Sequence, residues 1–457
     1  MKATSISGKR ILFANFPADG HFNPLTGLAI HLENCGYEVR WYTSKIYTEK
    51  LKKLQIPHYP FKTALDPEDG DFDKALPGRK EKKSQIAKLK FDIIHAFILR
   101  GPEYYEDILE IYQEYPFDLL VADCAFTGIS FVKELMKIPV VSIGVFPLGE
   151  KSRDLPPNGL GLTPSTSFVG KIRQQLLHRL CEGVVFLEPN KVLHRQYDDY
   201  GIPHNGEGVF DMLIHKSDLL LQSGSPGFEY YRSDLGENIR FIGPLFPYTK
   251  TEKSARWFDQ RLRQYKKILL VTQGTVEKDT DKIIVPTLEA FRDSNTLVIA
   301  TTGGNGTEKL RKLYPQPNVI IEDFIPFSDV MPYVNVYITN GGYGGVMLGI
   351  KHHLPLVVAG KHEGKNEICA RVGYFNLGIN LRTEKPLPRQ IHAAVNKVMT
   401  DPLYRDQVKE LALEFSRFKP EELCARHIGK LFEWHAFHTP VHPQYSPIQT
   451  QPAFAEE

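Results

Sequence analysis

Short apolar runs separated by stretches of helical spacing recur along this chain of 457 residues. Residues 10–15 (RILFAN) form the first run, and it ends in a Pro/Gly-rich turn, FPADGH. Residues 24–34 follow with Leu25, Leu28, Ala29 and Leu32 at helical spacing, and Gly36 stands behind them as a helix stop. Residues 37–43 predict a second strand. Residues 117–123 (FDLLVAD) and 139–146 (PVVSIGVF) are continuous apolar runs bounded by polar residues or proline, as strands buried on both faces are. A second set begins at Lys267, with strands predicted at 268–273, 296–301, 318–322, 334–339 and 355–359. Strand, helix, strand in repetition predicts an α/β protein of two doubly wound, Rossmann-like domains with a ligand cleft between them.

The pattern divides the chain into residues 1–242, a Pro-containing linker at 243–266, a second domain at 267–420, a last helix at 421–437 and a tail at 438–457. The tail has four prolines and little apolar content and is expected to be disordered. Residues 62–90 are rich in charge, with Pro67, Gly70, Pro77 and Gly78, and read as an irregular, mobile insertion.

Charge adds mainly exclusions. Fifty-six basic and 54 acidic residues leave a net charge of +2, which argues against a nucleic-acid partner. No apolar run approaches the ~20 residues needed to span a bilayer, so stable membrane insertion is not expected. The apolar run near the start is too short for a signal-peptide core. Cys35, Cys124, Cys181, Cys369 and Cys424 are scattered without CxxC spacing, which fits neither a disulfide framework nor a zinc site. The expectation is a cytoplasmic protein, a monomer or weak dimer.

Candidate chemistry lies at the predicted strand ends. GxGxxG is absent after the first strand, and His21 stands there instead, just before a helix start. A histidine so placed is a candidate general base if a carboxylate orients its ring, and Asp123 closes another strand of the same sheet. The same residues also fit a surface histidine in a turn and a helix-capping aspartate. Residues 339–345 (TNGGYGG) put four glycines at a strand-to-helix junction, where backbone N–H groups cradle a diphosphate or where a turn is merely flexible. Thr275, after the strand at 268–273, offers a hydroxyl to the same phosphates or a simple helix cap. Phe324 and Ile325 follow another strand, as a base-stacking platform or as core. Glu363, Gly364 and Lys365 follow the strand at 355–359, where a sugar would be recognised or where a charged loop is only solvated.

In this order and spacing the motifs resemble those of the family 1 nucleotide-sugar glycosyltransferases, in particular bacterial macrolide- and flavonoid-type members with the two-Rossmann GT-B fold. The resemblance covers roughly residues 8–435 and rests on GHFNP (20–24), Asp123, TQGTV (272–276), DFIPF (323–327), TNGGYGG (339–345) and LPLVVAG (354–360). It implies that His21 takes the proton of an acceptor hydroxyl and that Asp123 orients it. Thr275 and the backbone of Gly342, Gly344 and Gly345 would hold the diphosphate. Phe324 stands where a tryptophan stacks on the base, with Ile325 reading the base edge. The last helix would cross back onto the first domain.

Three departures alter what the resemblance implies about the donor. Asn340 replaces a histidine and would give the diphosphate a neutral hydrogen bond. Gly364-Lys365 replaces the Asp-Gln pair that holds the sugar, and Leu348 replaces a ribose-binding glutamate. These changes favour a deoxysugar donor such as dTDP- or UDP-rhamnose over UDP-glucose. The implied reaction is inverting transfer to a small hydrophobic acceptor, phenolic, flavonoid or macrolide-like, without metal or other cofactor. Phe91, Phe126 and Phe146 are candidates to line the acceptor pocket, with residues 152–162 as a loop over it. The competing readings are a non-catalytic nucleotide-sugar-binding helper and a GT-B epimerase.

Overall fold

The computed structural model describes residues 8–67, 72–249, 256–274, 277–362 and 364–438. Strands β1 (Arg10–Ala14), β2 (Glu38–Thr43), β3 (His58–Pro60), β4 (Leu119–Asp123), β5 (Val140–Gly144), β6 (Leu219–Ser223) and β7 (Ile239–Gly243) form one parallel sheet, ordered β3-β2-β1-β4-β5-β6-β7. Strands β8 (Lys267–Thr272), β9 (Thr296–Thr301), β10 (Val319–Glu322), β11 (Val336–Thr339), β12 (Leu356–Val358) and β13 (Gly378–Asn380) form the second, ordered β10-β9-β8-β11-β12-β13. Every residue of β4, β5 and β9 is buried, because helices cover both faces of each sheet.

Both sheets reverse their strand order beside the first strand. In the first sheet β1 pairs with β2 on one side and β4 on the other, with Ala14 level with Tyr42 and Ala122. In the second, Thr272 of β8 lies level with Thr301 of β9 and Thr339 of β11. Ligands of such sheets bind beyond the strand ends at this reversal. The register therefore brings Phe16 and the following turn beside Asp123, and Gln273 beside Asn340.

The terminal helix, Pro420–His438, crosses back to the first sheet, as expected. Cys424 and Ile428 are fully buried there with Leu28, Leu32 and Val39. Between the sheets, Tyr248 N–H donates to Thr26 Oγ1 (2.8 Å) and Trp257 N–H to Asp329 Oδ2 (3.0 Å), so the chain passes from one domain to the other between these points. Residues 250–255 of the predicted linker and 439–457 of the predicted tail lie outside the described residues.

The segment at 62–90 departs from its predicted irregularity. It carries short helices at Phe72–Ala75, Pro77–Arg79 and Gln85–Asp92, tied together by Arg79 on Asp73 (2.6 Å) and Asp92 (2.7 Å). Ser84 caps the last of these through its hydroxyl, which accepts from Ala87 N–H at 3.1 Å. Four strands, β3, β6, β7 and β13, lie outside the predicted set.

Ile428 tests the returning helix. Ile428→Ala is expected to lower the stability of the first domain by about 2–4 kcal/mol, read as a lower denaturant midpoint.

Candidate active site

The turn after β1 is fixed before it carries any chemistry. Asn15 is fully buried; its Oδ1 accepts from Trp41 Nε1 (2.7 Å), and its Nδ2 donates to the Phe16 carbonyl (2.7 Å). The turn then enters the short helix Asp19–Phe22, which presents His21. His21 Nδ1 lies 2.6 Å from Asp123 Oδ1, across 102 residues of sequence. The Asp123 carboxylate is fully buried and also accepts from Phe16 N–H at 2.6 Å and Ala125 N–H at 2.9 Å. With Nδ1–H directed at the carboxylate, Nε2 is the ring nitrogen left to accept a proton. The His21 side chain keeps 19% exposure, enough to meet a ligand.

Aromatic rings surround this histidine. Phe16 and Phe146 meet it edge-on, with centroids at 5.3 and 6.1 Å. Phe16 also stacks on Phe97 at 4.5 Å and on Phe72 at 5.2 Å. Phe126 does not join them. Its ring is fully buried on Tyr104 (4.4 Å) beside Tyr42, because the turn after Asp123 directs it into the core rather than the cleft. Phe91 packs on His95 at 4.2 Å. Phe16 and Phe72 were missed as lining residues: Phe16 falls within a Pro/Gly turn, and Phe72 falls in the segment taken for irregular.

At the second strand end, Asn340 holds the glycine loop together. Its Nδ2 donates to the Gln273 carbonyl and its Oδ1 accepts from Gly342 N–H (3.3 Å). Both ends of the amide thus bond backbone, with one N–H and one oxygen lone pair left over. Gly341 sits at φ +81°, and a Cβ there would fall 2.4 Å from Cys369 Sγ. Beyond it begins the helix Tyr343–Lys351, whose N-cap Gly342 has no side-chain cap. Its first N–H groups have no intrahelical partner and lie beside the exposed Gly344 and half-buried Gly345, a geometry suited to an anion. Phe324 is 70% exposed after β10, whereas Ile325 is buried in the second core. Thr275 and Glu363 lie outside the described residues. A second glycine-rich loop, at 303–306 after β9, was missed; Gly303 N–H donates to the Asp323 carbonyl (2.9 Å) next to Phe324.

The two halves meet through contacts that no motif announced. Tyr343 Oη donates to the Ser223 carbonyl at the end of β6 (2.6 Å), and a Cβ on Gly224 would fall 2.7 Å from that oxygen. Gly364 (φ +75°) opens the helix Lys365–Tyr374. On that helix Asn366 donates to the Gly159 carbonyl (2.6 Å), and Glu367 Oε1 accepts from Gly159 and Gly161 N–H at 2.8 and 2.7 Å. Arg371 is 1% exposed and binds Glu229 Oε2 (2.8 Å) and Glu367 Oε2 (3.2 Å), with its guanidinium 4.4 Å from the Tyr230 ring. Burial opposes the Arg371 charge, but the two carboxylates outweigh it and hold its pKa above the usual value. Among the described residues, no group of three or more His, Cys, Asp or Glu is arranged to hold a metal ion.

Residues 286–429 match the family described as Erythromycin biosynthesis protein CIII-like, C-terminal domain. The 4'-demethylrebeccamycin synthase of Lentzea aerocolonigenes is 34% identical over 414 residues, covering 90% of this chain and 96% of that protein. The chain belongs to the family 1 glycosyltransferases, of the bacterial macrolide type. The UDP-glucosyltransferase 1 of Beauveria bassiana is 28% identical over 93% of this glycosyltransferase and 95% of its own length. The crystal structure of CalG4, the calicheamicin glycosyltransferase, superposes with a TM-score of 0.70 at 20% identity, over 95% of this chain and 100% of that one, which shows the GT-B fold.

The buried interdomain pairs make a prediction for the glycosyltransferase. Arg371→Met strands Glu229 without its cation and is expected to cost about 3–5 kcal/mol of stability in denaturant unfolding.

Proposed function

We propose that this glycosyltransferase transfers a sugar, with inversion, from a UDP- or dTDP-linked donor to a hydroxyl of a small hydrophobic acceptor. The observation that carries this reading is the His21–Asp123 contact at 2.6 Å with a fully buried carboxylate. Nε2 accepts the acceptor's proton as its oxygen attacks the anomeric carbon. The carbon–oxygen bond to the diphosphate breaks on the opposite face, and Asp123 stabilises the imidazolium that forms. A well-placed base of this kind contributes ~10²–10⁴-fold in rate. Charge developing on the leaving diphosphate is met by the uncapped start of the helix Tyr343–Lys351 and by Thr275. These donors need no metal or other cofactor to bear it. Phe16, Phe97 and Phe146 give the acceptor an apolar wall, which suits a phenolic or macrolide-like ring system.

The donor reading rests on what the sugar and ribose end lacks. Leu348 packs against the second core, and Glu367 is directed at Gly159 and Gly161. A dTDP-linked deoxysugar has fewer hydroxyls to satisfy, and its nucleoside lacks the ribose 2′-hydroxyl. The spinosyn rhamnosyltransferase SpnG, complexed with thymidine diphosphate, shares the fold at a TM-score of 0.60.

Two measurements test the reading. In a thermal-shift panel, the preferred nucleotide at ~100 times its dissociation constant is expected to add ~2.7 kcal/mol of stability. A flat response to UDP, dTDP and their sugars overturns the donor assignment. His21→Ala is expected to reduce product formation, followed by mass, by ~10²–10⁴-fold while nucleotide binding persists. Asp123→Asn is expected to fall in the same range, because its amide can direct an N–H at Nδ1 and move the ring proton to Nε2. Transfer by His21→Ala at the wild-type rate overturns the base assignment.

A further inference from the structure

The helix Phe168–Leu180 is built inside out. It starts at Ser167, whose hydroxyl accepts from Gly170 N–H (3.1 Å), and runs into a wider turn at Cys181–Val185. Its inward face is polar. Gln174, the one fully buried residue in the helix, accepts from Ser165 N–H (2.6 Å) and donates to the Asp154 carbonyl (3.2 Å). His178 Nε2 reaches the Leu155 carbonyl at 2.9 Å. The outward face is apolar, with Phe168 79%, Val169 75%, Leu176 58% and Leu180 57% exposed, joined by Ile172. At 3.6 residues per turn these positions fill an arc of about 120°. Val184 and Leu187 continue the exposed surface beyond the helix. Helices of water-soluble domains normally turn such a stripe inward.

Charge identifies what covers this face. Residues 155–181 contain no Asp or Glu, whereas Lys171 and Arg173 flank the apolar arc and Arg179 lies within it on the last turn. All three are exposed and make no ion pair among the described residues. In a chain with a net charge of only +2, the basic excess here is local. A second copy placed symmetrically on the patch would set these cations against their own copies, and Glu182, the exposed carboxylate between Leu180 and Val184, is already paired with Lys151 of its own chain. An anionic bilayer surface supplies both complements: acyl chains for the apolar arc and headgroup phosphates for its basic edges.

We propose that the outward face of the helix Phe168–Leu180 docks on anionic lipid bilayers, with the protein lying on the membrane rather than crossing it. Among the described residues no helix is long and apolar enough to cross. The helix lies in the interface plane, its apolar face ~5–10 Å below the headgroups, as interfacial amphipathic helices do. This inference is independent of the sugar donor and of the role of His21.

Vesicle flotation of the full chain tests it. Binding to phosphatidylcholine vesicles with about 30% phosphatidylglycerol is expected to exceed binding to phosphatidylcholine alone by about tenfold and to fall in about 0.5 M salt. Phe168→Ser with Leu176→Ser is expected to weaken that binding on the order of tenfold, without lowering the melting temperature, because both side chains are exposed. Lys171→Gln with Arg173→Gln and Arg179→Gln is expected to abolish the preference for phosphatidylglycerol while leaving the apolar face intact. No flotation with phosphatidylglycerol vesicles at about 1 mM lipid overturns the proposal. Unchanged binding by the serine variant also overturns it, as does a wild-type dimer that the serine variant turns into a monomer and that no vesicle captures.

Discussion

A fully buried carboxylate must find donors, and Asp123 finds them in the turn that leaves β1 and in its own exit turn. Burying an unpaired ion costs several kcal/mol, so this one interaction constrains much of the first domain. It requires Phe16 N–H to point at β4, which the parallel pairing of β1 with β4 allows and which Asn15, held by Trp41, secures. With Phe16 N–H so directed, its ring stands edge-on to His21 and stacks with Phe97 and Phe72. The apolar wall and the oriented imidazole thus have the same origin. The wall therefore borders the ring nitrogen that Asp123 leaves free.

In the second domain the strand ends at the sheet's reversal are held together by an amide and by backbone. Asn340 ties the exits of β8 and β11 together, Gly341 takes a left-handed conformation over Cys369, and the following helix starts without a side-chain cap. Burial pushes the Cys369 thiol up to about 12, so the sulfur beneath the loop stays neutral and adds no repulsion. Tyr343, the first residue of that helix, also reaches the first sheet through its hydroxyl, so the uncapped helix start and the domain contact share one element.

Much of this was legible in the sequence, for identifiable reasons. Central parallel strands are continuous apolar runs, so β4, β5, β8 and β9 were readable, as was the convergence of His21 and Asp123 at adjacent strand ends. Three-residue edges such as β3 and β13 are too short to carry a pattern, and exposed Arg240 interrupts β7. Phe126 was misplaced because an aromatic just past a strand end fits cleft and core equally well in one dimension. Arg371 and Glu229 are 142 residues apart and belong to no motif, so only the assembled fold pairs them. The helix Phe168–Leu180 has plain amphipathic spacing, but spacing does not say which face turns inward; here it is the polar one.

The tether of Gly159 and Gly161 to Glu367 bears on how such proteins recombine. Residues 148–162 are encoded with the first half, yet their tip is held by a side chain of the second. Exchange of whole halves between relatives, by natural recombination or by design, breaks this pairing even when the cut falls cleanly between residues 248 and 257. A working hybrid must carry the loop together with the helix that grips it, so the unit of inheritance at this cleft is the pair and not the domain.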